Sequence, residues 1–538
     1  MTATLETSAQ AHAPGTNLVL EPPQRTYPVP EALAPWRDPN PRAGWAITAL
    51  VTLVAAVTRL WSFGYPQGKT FDEVYYATEA QELLRFGYED NRGYMFIVHP
   101  PLGKWLIAIG SWIWSGNGTN TIGYRLAPVL AGILAVTVLT RTVRRMTRSN
   151  LFGGIAGLLL SLDGLSLVLS RTAILDIFLQ FFVIAGFGAL VIDRDHVRGR
   201  LASLVAAGAD LSGGAPTLGP RPWRVIAGVM FGAACAVKWT ALSFFVLFAV
   251  LSLVWDRAAL KSAGVTKPTR VSLRRSVVPG LGSLLATPVA TYLLTYLGWF
   301  LGENSWGRHY TDTHTSATRL NLPFGVHLPF DWAWLPGPIR ALGSYTLQAY
   351  RFHEGLDSGH PYRSSPWSWL VLGRPVDFFY DGSGTNCGSS TCSREILLIG
   401  TPLLWWAFVP MLLWLAWHWI TTRDWRAGAV WVAFLAGWAV WFQDLKRTMF
   451  LFYMAPLVPF MIIGLTLGLG TVLGPSVRDF GDPGYSRRGQ RRRVWGAAGV
   501  AAFLALVIAD FAWMWPLFIG SLESYNNWHA HMWLPSWV

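Results

Sequence analysis

Asp72 and Glu73 stand side by side beyond the first long apolar run of the sequence. An adjacent acid pair of this kind can take a proton, hold a metal ion or cap a helix. Thr70 with Glu73 fits the S/T-x-x-E capping pattern, and Val74, Tyr75, Ala77, Thr78, Ala80, Gln81 and Leu83 continue an amphipathic helix. Further on, His99-Pro100-Pro101-Leu102-Gly103-Lys104 sets an imidazole and an ammonium at the start of a second surface helix, Leu102 to Trp114. Backbone donors and Lys104 favour an anion there, with a headgroup-anchoring lysine beside a rigid turn as the plainer alternative. Arg125 opens another apolar run, and Asp163, Arg171 and Asp176 lie around a later turn. Charges at membrane depth mark functional sites or pair with each other, and an Asp176–Arg171 ion pair is the alternative in this case. Lys238 and the group Asp444, Lys446 and Arg447 fall at turns expected on the same side. Several cations at one depth suit a lipid-linked phosphate, whose headgroup lies at the boundary while its tail stays in hydrocarbon.

Other chemistries have no visible seat. The sequence lacks a P-loop, a G-x-G-x-x-G opening a helix, an H-E-x-x-H and a paired C-x-x-C, so no soluble nucleotide, cofactor or metal is expected. Of the three cysteines, Cys235 lies in an apolar run as inert packing. Cys387 and Cys392 share a polar loop, where a small-loop disulfide and two free thiols are both open.

The elements that must position these residues are membrane spans. Of the 538 residues 52% are hydrophobic and 14% charged, against roughly a quarter charged in an ordinary soluble domain. Runs long enough to cross a roughly 30 Å hydrocarbon core fall at about 43–62, 121–141, 151–168, 173–192, 222–238, 239–256, 279–301, 395–418, 427–443, 448–472 and 494–519. This is an all-α polytopic membrane protein with about eleven spans. The net charge of +13 does not point to nucleic acid, because the arginines gather in short loops, among them Arg141 to Arg148, Arg194 to Arg200 and Arg487 to Arg493. Such loops read as cytoplasmic, which puts the N-terminus inside and the C-terminus on the outer side of a plasma membrane. The chain divides into a disordered tail 1–42, a transmembrane catalytic module 43–301 with its outer loop 63–120, a large irregular outer loop 302–394, and a second transmembrane module 395–538.

Phe71-Asp72-Glu73 with Tyr75 and Tyr76, then His99 to Lys104, then Tyr124-Arg125-Leu126, resemble the protein O-mannosyltransferase family. Asp163-Gly164, Ser170-Arg171, Leu175-Asp176, Lys238-Trp239-Thr240, Trp367-Ser368-Trp369 and Arg374-Pro375 continue the likeness in order, from about residue 43 to the end. It is nearest the actinobacterial members, which carry no β-trefoil domain in the large outer loop. Trp369-Leu370 departs from the family's usual Trp-Pro. The resemblance implies a GT-C glycosyltransferase fold and transfer of mannose, with inversion, from a polyprenyl phosphate to Ser or Thr hydroxyls of secreted polypeptides that arrive unfolded, which makes coupling to the secretion translocon plausible. By motif it implies Asp72 as general base, Glu73 as its support and Arg125 as the cation facing the phosphate.

The chemistry fits the residues. A hydroxyl attacking the anomeric carbon needs one carboxylate to take its proton, while a phosphate leaving group needs cations rather than an acid. Lys104, Arg125 and Arg447 are the expected phosphate ligands. A related enzyme with a glycolipid acceptor, a transporter of an anionic lipid and a scaffold are the alternatives. Transporters commonly show internal repeats, which this sequence lacks, and a scaffold leaves the acid motif unexplained.

Overall fold

The computed structural model describes residues 28–36, 38–90, 98–116, 118–314, 334–474 and 487–538. In chain order, α1 (Pro41–Leu60) is followed by two short helices outside the spans, α2 (Glu73–Phe86) and α3 (Leu102–Ser115). Next come α4 (Thr121–Thr147), α5 (Asn150–Ser161), α6 (Gly164–Ser170), α7 (Asp176–Ala206), α8 (Pro222–Cys235), α9 (Ala241–Ser262) and α10 (Pro268–Thr295). The second part holds α11 (Gly337–Glu354), β1 (Val376–Asp381), β2 (Cys392–Leu398), α12 (Pro402–Thr422), α13 (Trp425–Phe442) and α14 (Leu451–Leu473). It finishes with α15 (Arg487–Ile519), β3 (Glu523–Ser524) and α16 (Tyr525–Ala530).

Among the described residues nine helices are long and apolar enough to cross a membrane, and the bent pair α5–α6 makes a tenth. The 14-residue α8 occupies the remaining expected span. The apolar windows of α7 and α14 are each 78% buried in protein, whereas that of α1 is 28% buried and leaves Leu50, Leu53 and Val57 exposed. Hydrocarbon takes the place of water around the outer helices, and α7, packed on α4, α8 and α9, forms the centre.

The helix starts follow from local chemistry. Pro41 sits in the first turn of α1, where a missing N–H costs nothing, and Asn40 accepts from the Ala43 N–H at 3.0 Å. Asn120 caps α4 in the same way. The span read as 151–168 is not straight: it breaks by 63° between α5 and α6. Fully buried Arg59 donates to the carbonyls of Leu160 (3.1 Å) and Ser161 (3.3 Å), which the break leaves without helical partners. Asp163 accepts from the Ser166 N–H at 2.7 Å to start α6, and from the Trp405 indole at 2.7 Å.

The helical bundle is present as expected, and to it the chain adds a small antiparallel sheet of β1, β2 and β3 in that order, with a bulge between Asp377 and Phe379. The span read from 395 therefore starts as strand: Ile396 to Ile399 are apolar because they are buried, and a fully buried strand reads like the start of a helix. The outer segment 302–394 carries the 18-residue α11 as well as this sheet, while 315–333 lie outside the described residues. The tail is ordered in part. Residues 1–27 lie outside the described residues, but Leu33 is fully buried, the Ala34 carbonyl accepts from Arg148 at 3.1 Å, and Asp38 pairs with Arg144. Cys387 and Cys392 are joined by a disulfide in the β1–β2 connection, with Cα atoms 5.9 Å apart.

Candidate active site

A cavity of about 1530 Å³ opens between α2, the starts of α7 and α9, the end of α13, α11 and the segment leading into α14. Asp72, His99, Lys104, Asp176, Lys238, Asp444 and Arg447 line it, so seven of the twelve acid and base positions singled out from sequence come together on one surface. Glu73, Arg125, Asp163, Arg171 and Lys446 do not line it.

Asp72 immediately precedes α2 and is half-buried at the cavity wall. Burial pushes its carboxyl up to about 6, against the pull of Lys238 and of a hydrogen bond from Tyr76, while Asp176 adds to the rise. A carboxylate titrating near neutrality is suited to take a proton from a hydroxyl. Phe71 before it has φ +48°, a left-handed conformation uncommon for a bulky residue. Its ring stacks on Phe378 at 4.7 Å and meets Phe450, Phe452 and His360 edge-on.

Glu73 faces the protein interior. Its two oxygens accept from Arg125 Nε and Nη2, both at 2.7 Å, and further from the N–H groups of Ala173 (2.7 Å) and Thr70 (2.9 Å). The glutamate half of the expected capping box is therefore present, since it reaches back to Thr70, but the same side chain also ties α2 to α4 and to the start of α7. Arg125 is fully buried and spends its other donors on the carbonyls of Phe63, Pro66 and Gly68. The expectation of a phosphate-facing Arg125 does not match this geometry, because its charge is neutralised by Glu73 away from the cavity.

The Arg171–Asp176 ion pair, the alternative reading of these two charges, is replaced by two other arrangements. Arg171 donates to the carbonyls of Trp61 and Ser62, and Asp176 pairs with Lys238 at 2.6 Å. Lys238 lies 5.6 Å and 5.7 Å from the ring centres of Phe452 and Tyr453. Lys104 is also occupied, lying between Glu79 at 3.0 Å and Glu89 at 2.6 Å. Burial pulls its ammonium down, but the two carboxylates outweigh this and hold it above the usual range. Burial likewise pushes Glu79 up to about 7 against Lys104, with Glu89 adding to the rise.

Arg447 is different. Its Nε donates to the His353 carbonyl at 2.8 Å, its guanidinium lies 5.4 Å from the Trp441 ring, and buried Nη1 has no hydrogen-bond partner among the described residues. Among those residues it pairs with no carboxylate. The His353 ring lies 4.8 Å from that of His99. Burial lowers His353 to about 4, so the ring is neutral, and its Nε2 donates to the Val98 carbonyl at 2.8 Å. Burial and the surrounding cations hold His99 well below the usual histidine range. Sequence reading missed His353 and Arg340, which line the cavity from α11. The signal was the apolar spacing Leu342, Tyr345 and Ala349, one face of a helix inside a stretch read as irregular loop. Among the described residues no three His, Cys, Asp or Glu side chains are placed to hold a metal ion.

A bundle of apolar spans with Asp72 just ahead of a short helix outside them, at the wall of a cavity lined by cations and aromatic rings, has the architecture of a GT-C membrane glycosyltransferase. Over 92% of each chain it superimposes on the Saccharomyces cerevisiae protein O-mannosyltransferase Pmt1–Pmt2 complex bound to the sugar donor, with a TM-score of 0.70 at 15% identity. The pattern described as dolichyl-phosphate-mannose-protein mannosyltransferase matches residues 49–297, and that of the C-terminal four-span region of protein O-mannosyltransferase matches 340–537. A polyprenol-phosphate-mannose–protein mannosyltransferase of Mycobacterium tuberculosis is 40% identical over 96% of this chain and 97% of its own. Its Corynebacterium glutamicum counterpart is 34% identical over 92% and 93%. The chain belongs to the protein O-mannosyltransferase family.

Proposed function

We propose that this enzyme transfers mannose from a polyprenyl phosphate mannose to Ser or Thr hydroxyls of polypeptides, with Asp72 as the general base. The observation that carries the reading is Asp72 itself, a carboxyl held near 6 at the wall of a cavity that also presents Lys238 and Arg447. The donor's phosphate sits by Arg447, which pairs with no carboxylate among the described residues, and its chain leaves between the spans. Asp72 removes the proton of the attacking hydroxyl as the anomeric C–O bond to phosphate breaks, and the bond to the acceptor oxygen forms on the opposite face, inverting the centre. No protein acid is needed, because the lipid phosphate leaves as a stable anion. Glu73 acts at one remove, holding α2 against Arg125 and the Ala173 N–H.

The bias of arginines to the end opposite the cavity supports a bacterial plasma-membrane protein with its N-terminus cytoplasmic, its C-terminus extracytoplasmic and its cavity on the outer side. Acceptors reach that side as unfolded secreted or membrane polypeptides, which favours operation beside the secretion translocon.

The test is transfer of radiolabelled mannose from polyprenyl phosphate mannose to a Ser/Thr/Pro-rich peptide by membranes carrying wild-type or Asp72→Asn protein. Wild type transfers, and the variant loses roughly 10²- to 10⁴-fold in rate while still binding donor. A fully active variant refutes the base assignment, and an inactive wild type that binds donor refutes the acceptor class.

A further inference from the structure

Two non-glycine residues near the site hold left-handed backbone, Phe71 at φ +48° and Leu372 at φ +57°. Leu372 is fully buried at the end of the turn that follows Trp369, and its carbonyl accepts from the indole of Trp537 at 2.7 Å. Next to it the Gly373 carbonyl accepts from Ser536 Oγ at 2.6 Å. Arg374 completes the contact, donating to the main-chain oxygens of Ser536 and Val538, the latter at 3.0 Å. The same guanidinium donates from Nη2 to the Pro361 carbonyl at 3.1 Å and covers the Tyr362 ring at 5.4 Å.

These contacts fix the two ends of one stretch of outer loop. His360 precedes Pro361, and Phe378 lies four residues beyond Arg374; both rings touch Phe71, Phe378 by stacking and His360 edge-on. Phe71 adopts a conformation it would leave if unsupported, and the next residue is Asp72. From this geometry we infer that the segment Leu534–Val538 is a latch that positions Asp72, by holding residues 360–378 in the shape that clamps Phe71. The inference rests on the proposed role of Asp72. Trp537, Ser536 and Arg374 are positioning residues that touch neither sugar nor phosphate, and all lie outside the cavity lining. Nothing in the transfer reaction itself requires residues so far along the chain from the acid motif.

The test uses full-length protein purified in detergent, with wild type, Trp537→Ala and Trp537→Phe assayed for mannose transfer across pH 5 to 8. Trp537→Ala lowers kcat about tenfold at unchanged donor KM, and the ascending limb of its pH profile, which reports Asp72, moves from its wild-type position. Trp537→Phe, which keeps the buried ring but not the hydrogen bond to Leu372, recovers kcat only in part. An alanine variant with wild-type kcat and limb overturns the latch. So does one that loses kcat and donor binding together with an unmoved limb, the pattern of general destabilisation. Should Trp537→Ala fail to fold, Ser536→Ala and Arg374→Lys remove single latch contacts and carry the same expectations. A wild-type enzyme that transfers no mannose would instead count against the proposed reaction, which separates the two failures.

Discussion

Glu73 and Arg125, 52 residues apart in sequence, meet as a two-pronged ion pair with both contacts at 2.7 Å and neither side chain exposed. The pair separates the roles of two neighbouring acids. Asp72 turns to the cavity, and Glu73 joins α2 to the bundle.

Glu73→Gln and Arg125→Met each leave a buried charge without its partner, at a cost of about 3–5 kcal/mol. Thermal unfolding in detergent should show both variants strongly destabilised, and Asp72→Asn should not share the loss. If Glu73→Gln keeps wild-type stability and loses only turnover, the glutamate belongs to the chemistry instead.

The pH dependence has a definite sign. On the proposed role Asp72 takes the proton when ionised, so kcat/KM should rise with pH through about 6 and level off above it. Its native carboxyl titrates above the unfolded value of 3.8, so the folded state holds the extra proton and ionisation costs stability as pH rises from about 4 to about 6. Asp72→Asn is therefore at least as stable as wild type above pH 6, which unfolding curves at pH 5 and pH 7.5 check.

Lys238 and Asp176 form a closed pair at 2.6 Å. Lys238→Met alone strands a buried carboxylate and should destabilise by about 3–5 kcal/mol, whereas Lys238→Met with Asp176→Asn should regain much of the loss. A double-mutant cycle measures the difference, and strictly additive losses would argue against the pair.

Arg447→Ala should weaken donor affinity by about 10- to 100-fold, the equivalent of losing a charged hydrogen bond worth about 1.5–3 kcal/mol, with little change in stability. Titration with a non-hydrolysable donor analogue reads this directly. Equal affinity in the variant would move the phosphate to another cation.

Much of this was legible from the residues because each span is a local property: twenty apolar side chains announce a helix wherever they pack. Asp72 and the His99 to Lys104 run were legible too, since unusual residue types next to helix starts stand out within a few positions. What was not legible was partnership. Arg125 reads like a free cation until Glu73 is seen against it, and Arg171 reads like the mate of Asp176 until Lys238 takes that place from 62 residues away. Such choices depend on how α2, α4 and α7 pack, which no short window contains. His353 escaped for a related reason, lying on a helix that polar flanks had made look like loop.

The solitary charge of Arg447 bears on how the catalytic cycle ends. On the proposed reaction the donor carries a phosphodiester with one negative charge, while the product is a phosphate monoester carrying roughly −1.5 to −2 near pH 7. A guanidinium that pairs with no carboxylate among the described residues attracts the more highly charged species more strongly, so on that reading the spent lipid competes with fresh donor. Release of the spent carrier is then the step that the phosphate's own charge opposes. On the proposed reaction, a build-up of used polyprenyl phosphate in the membrane is expected to slow transfer.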